Sequence, residues 1–408
     1  MSILLYNISL FFYRLGIWMA APFNAKAKQW LDGRKDWQHK IEAARLGSGK
    51  RVWIHCASLG EFEQARPLIE RLKQSSESSS HQIILTFFSP SGYEVRKNYA
   101  VADLVMYLPV DSAANAVAFL DLIKPDLVLF VKYEFWFHYL HELKHRHVPT
   151  VLFSGVFRSG QIFFQPYGGL FRDMLQCFTK IFVQNSASQK LLMKIGIEST
   201  VAFDTRFDRV LEVAQSRKQF PQLEPFIGRS KLFIAGSTWL KDEDLLVQCI
   251  NENLLPGYKY MLAPHDIDQE RIAALQKKIK AKSVLYSALG PANADAAVLI
   301  IDHVGSLSAL YAYGQMAYIG GGFNVSVHNV LEAVVFGMPV IFGPNYHKSE
   351  EAKDLVKLDE AVSIATVDEL RAAMQKGAKK NGVGGRDYVL ERKGGTDKIL
   401  ESVMRLLG

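Results

Sequence analysis

The stretch that decides the fold is MAYIGGGFNVSVHNVLEAVVFGMPVIFGPN, residues 316–345 of the chain. It predicts a strand, a glycine loop, a helix and a second strand, which together make a βαβ element. Asn329 is predicted to open the helix, while Gly337 and Pro339 fit its end and the start of a new buried strand. A parallel sheet with crossover helices is the fold class that such an element indicates.

Three consecutive glycines, Gly320, Gly321 and Gly322, follow the first strand of this element. Ligands of open α/β sheets bind at the carboxyl ends of strands, and glycine has no Cβ to keep a ligand from the backbone. We therefore expect amides that are open to a ligand here. The amides and dipole of the helix opened by Asn329 favour an anion, so the pattern predicts a site for a phosphorylated ligand.

The same alternation of short apolar runs and helical segments continues along the chain from Val52. We expect strands at VWIHCA, IILTFF, LVLFV, TVLFS and IFVQ, and again at LFIAG, YKYMLA, AVLIID, MAYIG and PVIFG. Residues 203–230 separate the two sets and hold prolines and charges but no long apolar run. The pattern predicts two doubly wound parallel-sheet domains.

The predicted domains are residues 31–210 and 211–385, and a closing helix within 386–408 is expected to pack back on the first of them. A length of 408 residues with 49% hydrophobic side chains suits such folded domains. The polar tract QSSESSS, residues 74–80, is predicted to be a solvated loop.

The charge and the cysteines limit the classes of partner and compartment. A formal net charge of +7 favours an acidic partner, which charge alone does not identify as a membrane surface, a phosphorylated substrate or a nucleic acid. Cys56, Cys177 and Cys249 lie far apart, so neither a disulfide framework nor a zinc knuckle is indicated. The cytosol is the natural compartment.

The N-terminal segment, residues 1–30, carries a nearly continuous apolar run over 3–23. It is long enough to span a bilayer, but Asn7 and Arg14 share one helical face, and an arginine in the bilayer core is costly. We expect a helix that lies in the membrane interface or docks on a core, and the sequence weighs these two evenly. The basic residues that follow suit anionic headgroups: Lys26, Lys28, Arg34, Lys35 and Lys40.

The segment after the first predicted strand, HCASLGEFEQARPL (55–68), places Ser58 and Glu61 at the spacing of a capping box. Gly60 keeps the strand-to-helix turn open, and a carboxylate at this edge of a parallel sheet faces the region where substrates bind. Because a helix N-terminus favours negative charge, Glu61 also suits a general base. Spacing alone favours the structural role.

Strand ends in the second half carry further polar groups. Ser237 and Thr238 follow LFIAG, and Pro264 and His265 follow YKYMLA. His265 is predicted either to donate to a phosphate oxygen or to be an ordinary loop histidine. Asn329 and Glu332 repeat the capping spacing, so Glu332 is either a capping partner or an acceptor for a ribose hydroxyl pair.

The segment His141-Glu142-Leu143-Lys144-His145 matches the HExxH zinc pattern. We disfavour metal binding, because Lys144 and Arg146 indicate a solvated helix face and no third ligand is evident. The acidic pairs Asp242/Asp244 and Asp266/Asp268 begin predicted helices, where acids are common. No metal site is predicted.

The motifs ASLGEFEQARPLIERL and GGGFNVSVHNVLEAVVFGMPVIFGPN resemble those of the 3-deoxy-D-manno-octulosonic acid (Kdo) transferases of lipopolysaccharide synthesis. Supporting likeness extends over nearly the whole chain: the apolar N-terminus, KPDLVLFVKYEFWFHYL with Glu134, FDTRFDRV, and IDHVGSLSALYAYGQMAYIGGG. The two long motifs are specific to that family.

The resemblance implies a GT-B glycosyltransferase, in which two Rossmann-like domains face each other across a cleft. It implies inverting transfer of Kdo from CMP-Kdo to a lipid A precursor (lipid IVA). Glu61 would then be the general base, with Ser58, Gly60 and Glu134 around the acceptor. The CMP site would comprise the strand-end residues of the second domain: Ser237, Thr238, Ala263, Pro264, His265, Val304, Gly305, Ser306, Gly321, Gly322, Asn329, Val330, Leu331 and Glu332.

The partners that the resemblance implies are CMP-Kdo as donor substrate, a phosphorylated lipid A precursor and the anionic inner-membrane surface. No other cofactor, metal, nucleic acid or obligate protein partner is expected. The protein would act on the cytoplasmic face of the inner membrane, anchored or peripheral through its N-terminal helix.

Three departures from the family pattern concern the donor site. Pro264 stands where an arginine is common, Ser306 where a glutamate is common, and Trp239-Leu240 replaces a stretch that contains histidine. Competing functions are another GT-B enzyme with a different nucleotide sugar, a zinc hydrolase on His141 and His145, and a non-enzymatic nucleotide-binding protein.

Overall fold

The structure is a computed structural model that describes residues 2–74, 81–216, 218–380 and 382–408. Contacts within the chain divide it into two compact units. One holds the residues up to Asp208 together with Lys393–Gly408, and the other is Arg209–Arg392. The loop predicted at 74–80 lies, apart from Gln74, outside the described residues.

Within the described residues, the sheet of the first unit has seven parallel strands in the order β3-β2-β1-β4-β5-β6-β7. The strands are β1 (Arg51–Cys56), β2 (Gln82–Phe87), β3 (Leu104–Tyr107), β4 (Leu127–Val131), β5 (Thr150–Gly155), β6 (Lys180–Val183) and β7 (Thr200–Val201). This order is doubly wound, and the strand order reverses between β1 and β4, which is the topological switch point of the sheet.

The second unit contains another sheet of seven parallel strands in its described part, in the order β10-β11-β9-β8-β12-β13-β14. The strands are β8 (Lys231–Thr238), β9 (Tyr258–Pro264), β10 (Ser283–Leu285), β11 (Val298–Ile300), β12 (Met316–Ile319), β13 (Val340–Phe342) and β14 (Ala361–Ser363). Here the strand order reverses between β8 and β12, which is the topological switch point of this sheet. Both predicted Rossmann-like sheets are therefore confirmed.

Helices connect the strands on both faces of each sheet. Those up to the domain junction are α1 (Ile3–Ala20), α2 (Ala25–Asp32), α3 (Trp37–Ala43), α4 (Leu59–Gln74), α5 (Pro90–Arg96), α6 (Ala113–Ile123), α7 (Phe137–His145), α8 (Gly169–Leu175), α9 (Ser186–Met193) and α10 (Arg206–Ser216). Those that follow are α11 (Leu223–Ile227), α12 (Leu240–Asn251), α13 (Gln269–Lys278), α14 (Leu307–Leu310), α15 (Leu331–Val334), α16 (Glu350–Lys357), α17 (Val367–Gly377), α18 (Val383–Leu390) and α19 (Gly395–Leu407).

The first sheet is buried on both faces. Since successive side chains of a strand point to opposite sides, each inner strand contributes to both apolar clusters. In β1, Val52 and Ile54 enter one apolar cluster while Trp53 enters the other. The C-terminal helix α19 adds Ile399 and Val403, one turn apart, to the cluster of Val52. Burial on both faces explains why the inner strands are continuous apolar runs.

Helix α1 contacts the rest of the first unit through Tyr6 and Tyr13. The hydroxyl of Tyr6 donates to the buried Asp111 carboxylate at 2.6 Å, and Tyr13 stacks on Phe88 with centroids 6.0 Å apart. Its opposite face is apolar and exposed, with Leu4, Phe11 and Trp18 each more than 60% accessible. In the described residues it is the one helix long and apolar enough to cross a membrane by length and composition.

Candidate active site

The predicted acceptor residues lie together at the topological switch point of the first sheet, where the strand order reverses. Glu61 follows β1 and Glu134 follows β4, and these two strands are hydrogen-bonded neighbours although two strands lie between them in sequence. The crevice beyond the carboxyl ends of such strands is where open α/β sheets bind ligands. The topology therefore brings two carboxylates to the position expected for a site.

The side chains of Ser58 and Glu61 contact each other directly at the start of α4. The Ser58 hydroxyl donates to a carboxylate oxygen of Glu61, while the backbone amide of Phe62 donates to the Ser58 carbonyl at 3.1 Å. Gly60 is exposed, and a Cβ there would meet only the Ser58 hydroxyl, at 3.8 Å. The serine thus orients the glutamate beside an open turn.

Cys56, the last residue of β1, reports on the charges around it. Burial is the largest cause that raises the pKa of this thiol, and the negative charges of Glu61, Glu134 and Glu63 raise it further. Charges act in this way only over short distances in a protein. The geometry agrees, because His55 of β1 contacts Glu134 at 2.8 Å and Glu61 lies in the first turn of the helix that follows β1.

Glu134 is held by a buried network that the sequence did not announce. The Nε2 atom of His55 and the indole nitrogen of Trp136 each lie 2.8 Å from the same carboxylate oxygen, Oε2. On the other side of the imidazole, Nδ1 lies 2.8 Å from the hydroxyl of Thr86, which accepts from the indole of Trp53, also at 2.8 Å. One histidine in an otherwise apolar strand was the available signal.

Left-handed backbone at non-glycine residues occurs at strand ends in both sheets, Ser154 of β5 (φ 55°) among them. Lys132, directly after β4, has φ 65°, and Ser237, near the end of β8, has φ 54°. Left-handed backbone at a non-glycine residue costs about 1–3 kcal/mol and concentrates at functional sites. Lys132 follows β4 and Ser237 lies in β8, and each of these strands borders the topological switch point of its sheet.

In the second unit the predicted donor residues also lie at the topological switch point of the sheet. Ser237 and Thr238 end β8, and the glycine loop follows the adjacent strand β12. The structure gives the glycines a different reason from the predicted one. A Cβ at Gly320 would lie 2.1 Å from the Ser237 carbonyl oxygen, and a Cβ at Gly321 would lie 2.7 Å from His328 Cδ2.

Two of the loop's amides donate within the protein. The amide of Gly320 donates to the Gly236 carbonyl at 2.9 Å, and that of Gly321 donates to Asp242 at 3.2 Å. The expectation that these amides are open to a ligand is therefore wrong for Gly320 and Gly321. Gly322 instead approaches the backbone of Gly343, where a Cβ would be 2.6 Å from the nitrogen. The glycines allow close packing of the loop.

The helix predicted to open at Asn329 is shorter than expected. Helix α15 is a single turn that begins at Leu331, after Val330, and the side-chain oxygen of Asn329 accepts from the Leu331 amide at 3.2 Å. The side-chain amide of Asn329 donates to Glu332 at 3.1 Å. One turn carries a small dipole, so the predicted anion site at this helix end loses its main physical basis.

The loops after β9 and β11 complete the second strand-end region. Ala263 and Pro264 are buried at the end of β9, and the ring of His265 is exposed beyond them. After β11, Val304 is 86% exposed, while the hydroxyl of Ser306 lies 2.7 Å from Nε2 of His303. Gly305 between them has φ 99°, a conformation that favours glycine.

The HExxH segment forms most of α7, where its groups have other partners. The ring of His141 packs on Phe137 with centroids 4.1 Å apart, and the Glu142 carboxylate accepts from Arg146 at 2.7 Å. In the part of the chain that the structure describes, no group of three or more metal-ligating side chains comes together. The acids weighed as metal ligands also have protein partners: Asp242 accepts from Tyr318, and Asp268 caps α13.

Comparison with known proteins finds similar sequences over most of the chain. Residues 33–209 match the family model described as 3-Deoxy-D-manno-octulosonic-acid transferase (kdotransferase). The 3-deoxy-D-manno-octulosonic acid transferase of Aquifex aeolicus is 26% identical over 76% of this chain and 80% of its own. That of Haemophilus influenzae is 25% identical over 86% of both chains.

A solved structure matches the fold. The UDP-GlcNAc 2-epimerase of Neisseria meningitidis superimposes with a TM-score of 0.58 at 14% identity, covering 87% of this chain and 100% of the epimerase. The two Rossmann-like sheets match the GT-B fold, and the similarity to curated Kdo transferases identifies the protein as a glycosyltransferase. Within the class it is related to the Kdo transferases of lipopolysaccharide synthesis, as its sequence motifs indicated.

Proposed function

We propose that the protein transfers Kdo from CMP-Kdo to a hydroxyl of a phosphorylated lipid A precursor, lipid IVA, with inversion at the anomeric carbon. The acceptor is assigned to the first unit and the donor nucleotide to the second. The observation that carries this assignment is the pair of carboxylates, Glu61 and Glu134, beside the carboxyl end of β1. The relatives named above are Kdo transferases, which supports the choice of sugar.

Glu61 is the proposed general base. A sugar hydroxyl is a poor nucleophile until a base takes its proton as the new bond forms. In the proposed step the acceptor proton moves to the Glu61 carboxylate, the acceptor oxygen bonds to the anomeric carbon, and the bond to phosphate breaks. CMP leaves with the electron pair of that bond. Ser58, whose hydroxyl donates to Glu61, keeps the carboxylate oriented in its open turn.

Glu134 is proposed to bind the acceptor rather than to take its proton. Its Oε2 already accepts from His55 and Trp136, each at 2.8 Å, so this oxygen is committed to the protein. A carboxylate has a second oxygen that can accept from a hydroxyl. A buried carboxylate whose orientation is fixed in this way suits the positioning of a sugar hydroxyl.

The second unit is proposed to hold CMP. The residues predicted at its strand ends provide hydrogen-bond donors and acceptors without a metal: Ser237, Thr238, Ala263, Pro264, His265, Val304, Gly305, Ser306, Gly321, Gly322, Asn329, Val330, Leu331 and Glu332. Since the amide of Gly321 donates to Asp242, we assign it a packing role in that site. Donors aimed at the leaving phosphate stabilise the charge that develops on it.

Helix α1 is proposed to insert its exposed face into the cytoplasmic surface of the inner membrane without spanning it. Tyr6 and Tyr13 contact the first unit, and Tyr6 is buried there. Because a helix tied to a folded domain at these points would carry polar parts of the domain toward the hydrocarbon if it crossed, we assign it to the interface. An amphipathic arrangement suits an enzyme whose acceptor is a lipid.

The direct test is incubation of the purified protein with CMP-Kdo and a tetraacylated lipid A precursor, followed by mass spectrometry of the lipid. We expect the lipid to gain the mass of Kdo and CMP to be released in equal amount. A second arm measures thermal stabilisation by CMP, UDP and GDP, where only CMP is expected to raise the unfolding temperature. Stabilisation by UDP or GDP instead would favour another GT-B transferase that acts on a membrane-associated acceptor.

A further inference from the structure

Three aromatic rings from distant parts of the second unit form one continuous stack. Trp239 follows β8, His265 follows β9, and His328 lies in the loop after β12. The ring centroids of Trp239 and His265 are 4.5 Å apart at 24°, and those of His265 and His328 are 4.6 Å apart at 15°. All three residues follow the carboxyl ends of strands near the topological switch point of the second sheet, where the donor site is proposed.

A hydrogen bond joins the two ends of the stack. The indole Nε1 of Trp239 donates to Nε2 of His328 at 3.1 Å. Because an indole N–H only donates, Nε2 must carry the lone pair, and a neutral His328 ring then has its proton on Nδ1. In the described residues no protein group hydrogen-bonds to that Nδ1. Burial, and secondarily the charge of His265, lowers the pKa of His328 to about 4, so the ring is neutral near pH 7.

The indole itself is fixed from its backbone side. The amide of Trp239 donates to Oδ2 of Asp242 at 2.9 Å, and the same oxygen accepts from Gly321 at 3.2 Å. The other oxygen of Asp242 accepts from the hydroxyl of Tyr318 at 2.7 Å. Asp242 thus ties the start of α12, the glycine loop and β12 together, which holds Trp239 against His328.

We propose that Trp239 is a positioning residue of the donor site, which stacks His265 and His328 and directs the proton of His328 to Nδ1. His328 then presents a neutral N–H donor of fixed direction to the phosphate of the bound nucleotide. The inference rests on the proposed function for the identity of the nucleotide. Neither Trp239 nor His328 was among the donor residues predicted from the sequence, where Trp239 counted only as a departure that removes a polar contact.

The test begins with the wild-type protein labelled with ¹⁵N at histidine. Long-range ¹H–¹⁵N spectra report which ring nitrogen carries the proton, and we expect His328, assigned by loss of its signals in His328→Asn, to show protonated Nδ1. A signal from the Nε2-protonated form would overturn the proposal at once. Trp239→Phe keeps an aromatic ring in the stack and removes only the N–H donor, so we expect a mixture of both forms in this variant.

The second measurement is CMP affinity by calorimetry. We expect Trp239→Phe to bind CMP about tenfold more weakly, since one hydrogen bond to a charged group is misdirected. Leu240→Ala is the matched control, because Leu240 is the neighbouring, 59% exposed first residue of α12, and this variant should bind like the wild type. A shifted His328 proton with unchanged CMP affinity would reduce the stack to a structural feature and overturn the proposal.

The two measurements separate this inference from the proposed function. If the wild-type protein does not bind CMP, the assignment of CMP-Kdo as donor is wrong, and so is the role given to His328. Normal CMP binding by both the wild type and Trp239→Phe would leave the donor in place and sink the role of Trp239 alone. The unfolding temperature without ligand should be nearly the same in both proteins, because the ring is retained.

Discussion

Nε2 of His55 lies 2.8 Å from Oε2 of Glu134, where His55 belongs to β1 and Glu134 follows the neighbouring parallel strand β4, which is far away in sequence. His55 is fully buried and Glu134 is 8% exposed. A buried carboxylate without donors would cost several kcal/mol. The histidine therefore offsets the cost of burying the Glu134 side chain after β4, and Thr86 on the other side of the ring fixes which way the ring faces.

We predict that Glu134→Gln folds normally and transfers Kdo at least tenfold more slowly. The amide oxygen of glutamine can still accept from His55 and Trp136, so the free energy of unfolding should change by about 1 kcal/mol or less. The acceptor contact, however, loses its charge. Urea unfolding and initial transfer rates measure the two effects. Glu94→Gln, a change at the rim of the same unit, is the control, and equal rates in all three proteins would make Glu134 purely structural.

Glu61→Gln should abolish transfer while leaving the fold intact. Glutamine can accept from the Ser58 hydroxyl but cannot take the acceptor proton, so a loss of about 10²–10⁴-fold is expected for removal of a general base. The matched control is Glu63→Gln on the same helix, whose carboxylate pairs with Arg96 at 2.8 Å. Transfer assays and circular dichroism compare the variants. Wild-type rates in Glu61→Gln would remove the base assignment.

Glu332→Gln should weaken CMP binding by about tenfold with little loss of stability, the change expected when a charged acceptor for hydroxyl groups becomes neutral. The contact with Asn329 can persist, because the glutamine oxygen still accepts. Glu350→Gln, in the first turn of α16, serves as control. Calorimetric titration with CMP is the measurement, and an unchanged dissociation constant would return Glu332 to a capping role.

Phe11→Glu combined with Trp18→Glu should reduce membrane association by tenfold or more. Each side chain is more than 60% exposed on α1, and burial of one large apolar side chain is worth about 1.5–3 kcal/mol. Co-sedimentation with phosphatidylethanolamine–phosphatidylglycerol vesicles measures the effect, and Val117→Glu on the exposed face of α6 is the control. Alkaline carbonate should release the wild-type protein from membranes, and retention would indicate a spanning helix.

The fold class followed from the sequence because strands that are buried on both faces must be apolar throughout. All ten predicted apolar runs became strands. The four that escaped prediction are β3, β7, β10 and β14, which lie at the two edges of each sheet. Edge strands are short and need fewer apolar residues, so their sequences carry a weaker pattern.

Candidate site residues could be predicted from the sequence only where a single local segment carries the pattern. The spacing of Ser58 and Glu61 indicated their contact, and strand ends indicated where polar groups would gather. The glycine loop was misjudged because local sequence does not show which atoms will approach a glycine. Ser237, His328 and Gly343 lie against the loop only after the strands have paired.

The sequence by itself determined the alternation of strands and helices, the family likeness and the identity of the proposed base, since these depend on short-range pattern and motif. The tertiary structure alone decided that His55 holds Glu134, that Trp239 stacks with His265 and His328, and that α1 contacts the first unit through Tyr6 and Tyr13. Each of these contacts joins residues that are brought together by the order of strands in a sheet or by packing on it, and no local pattern encodes that order.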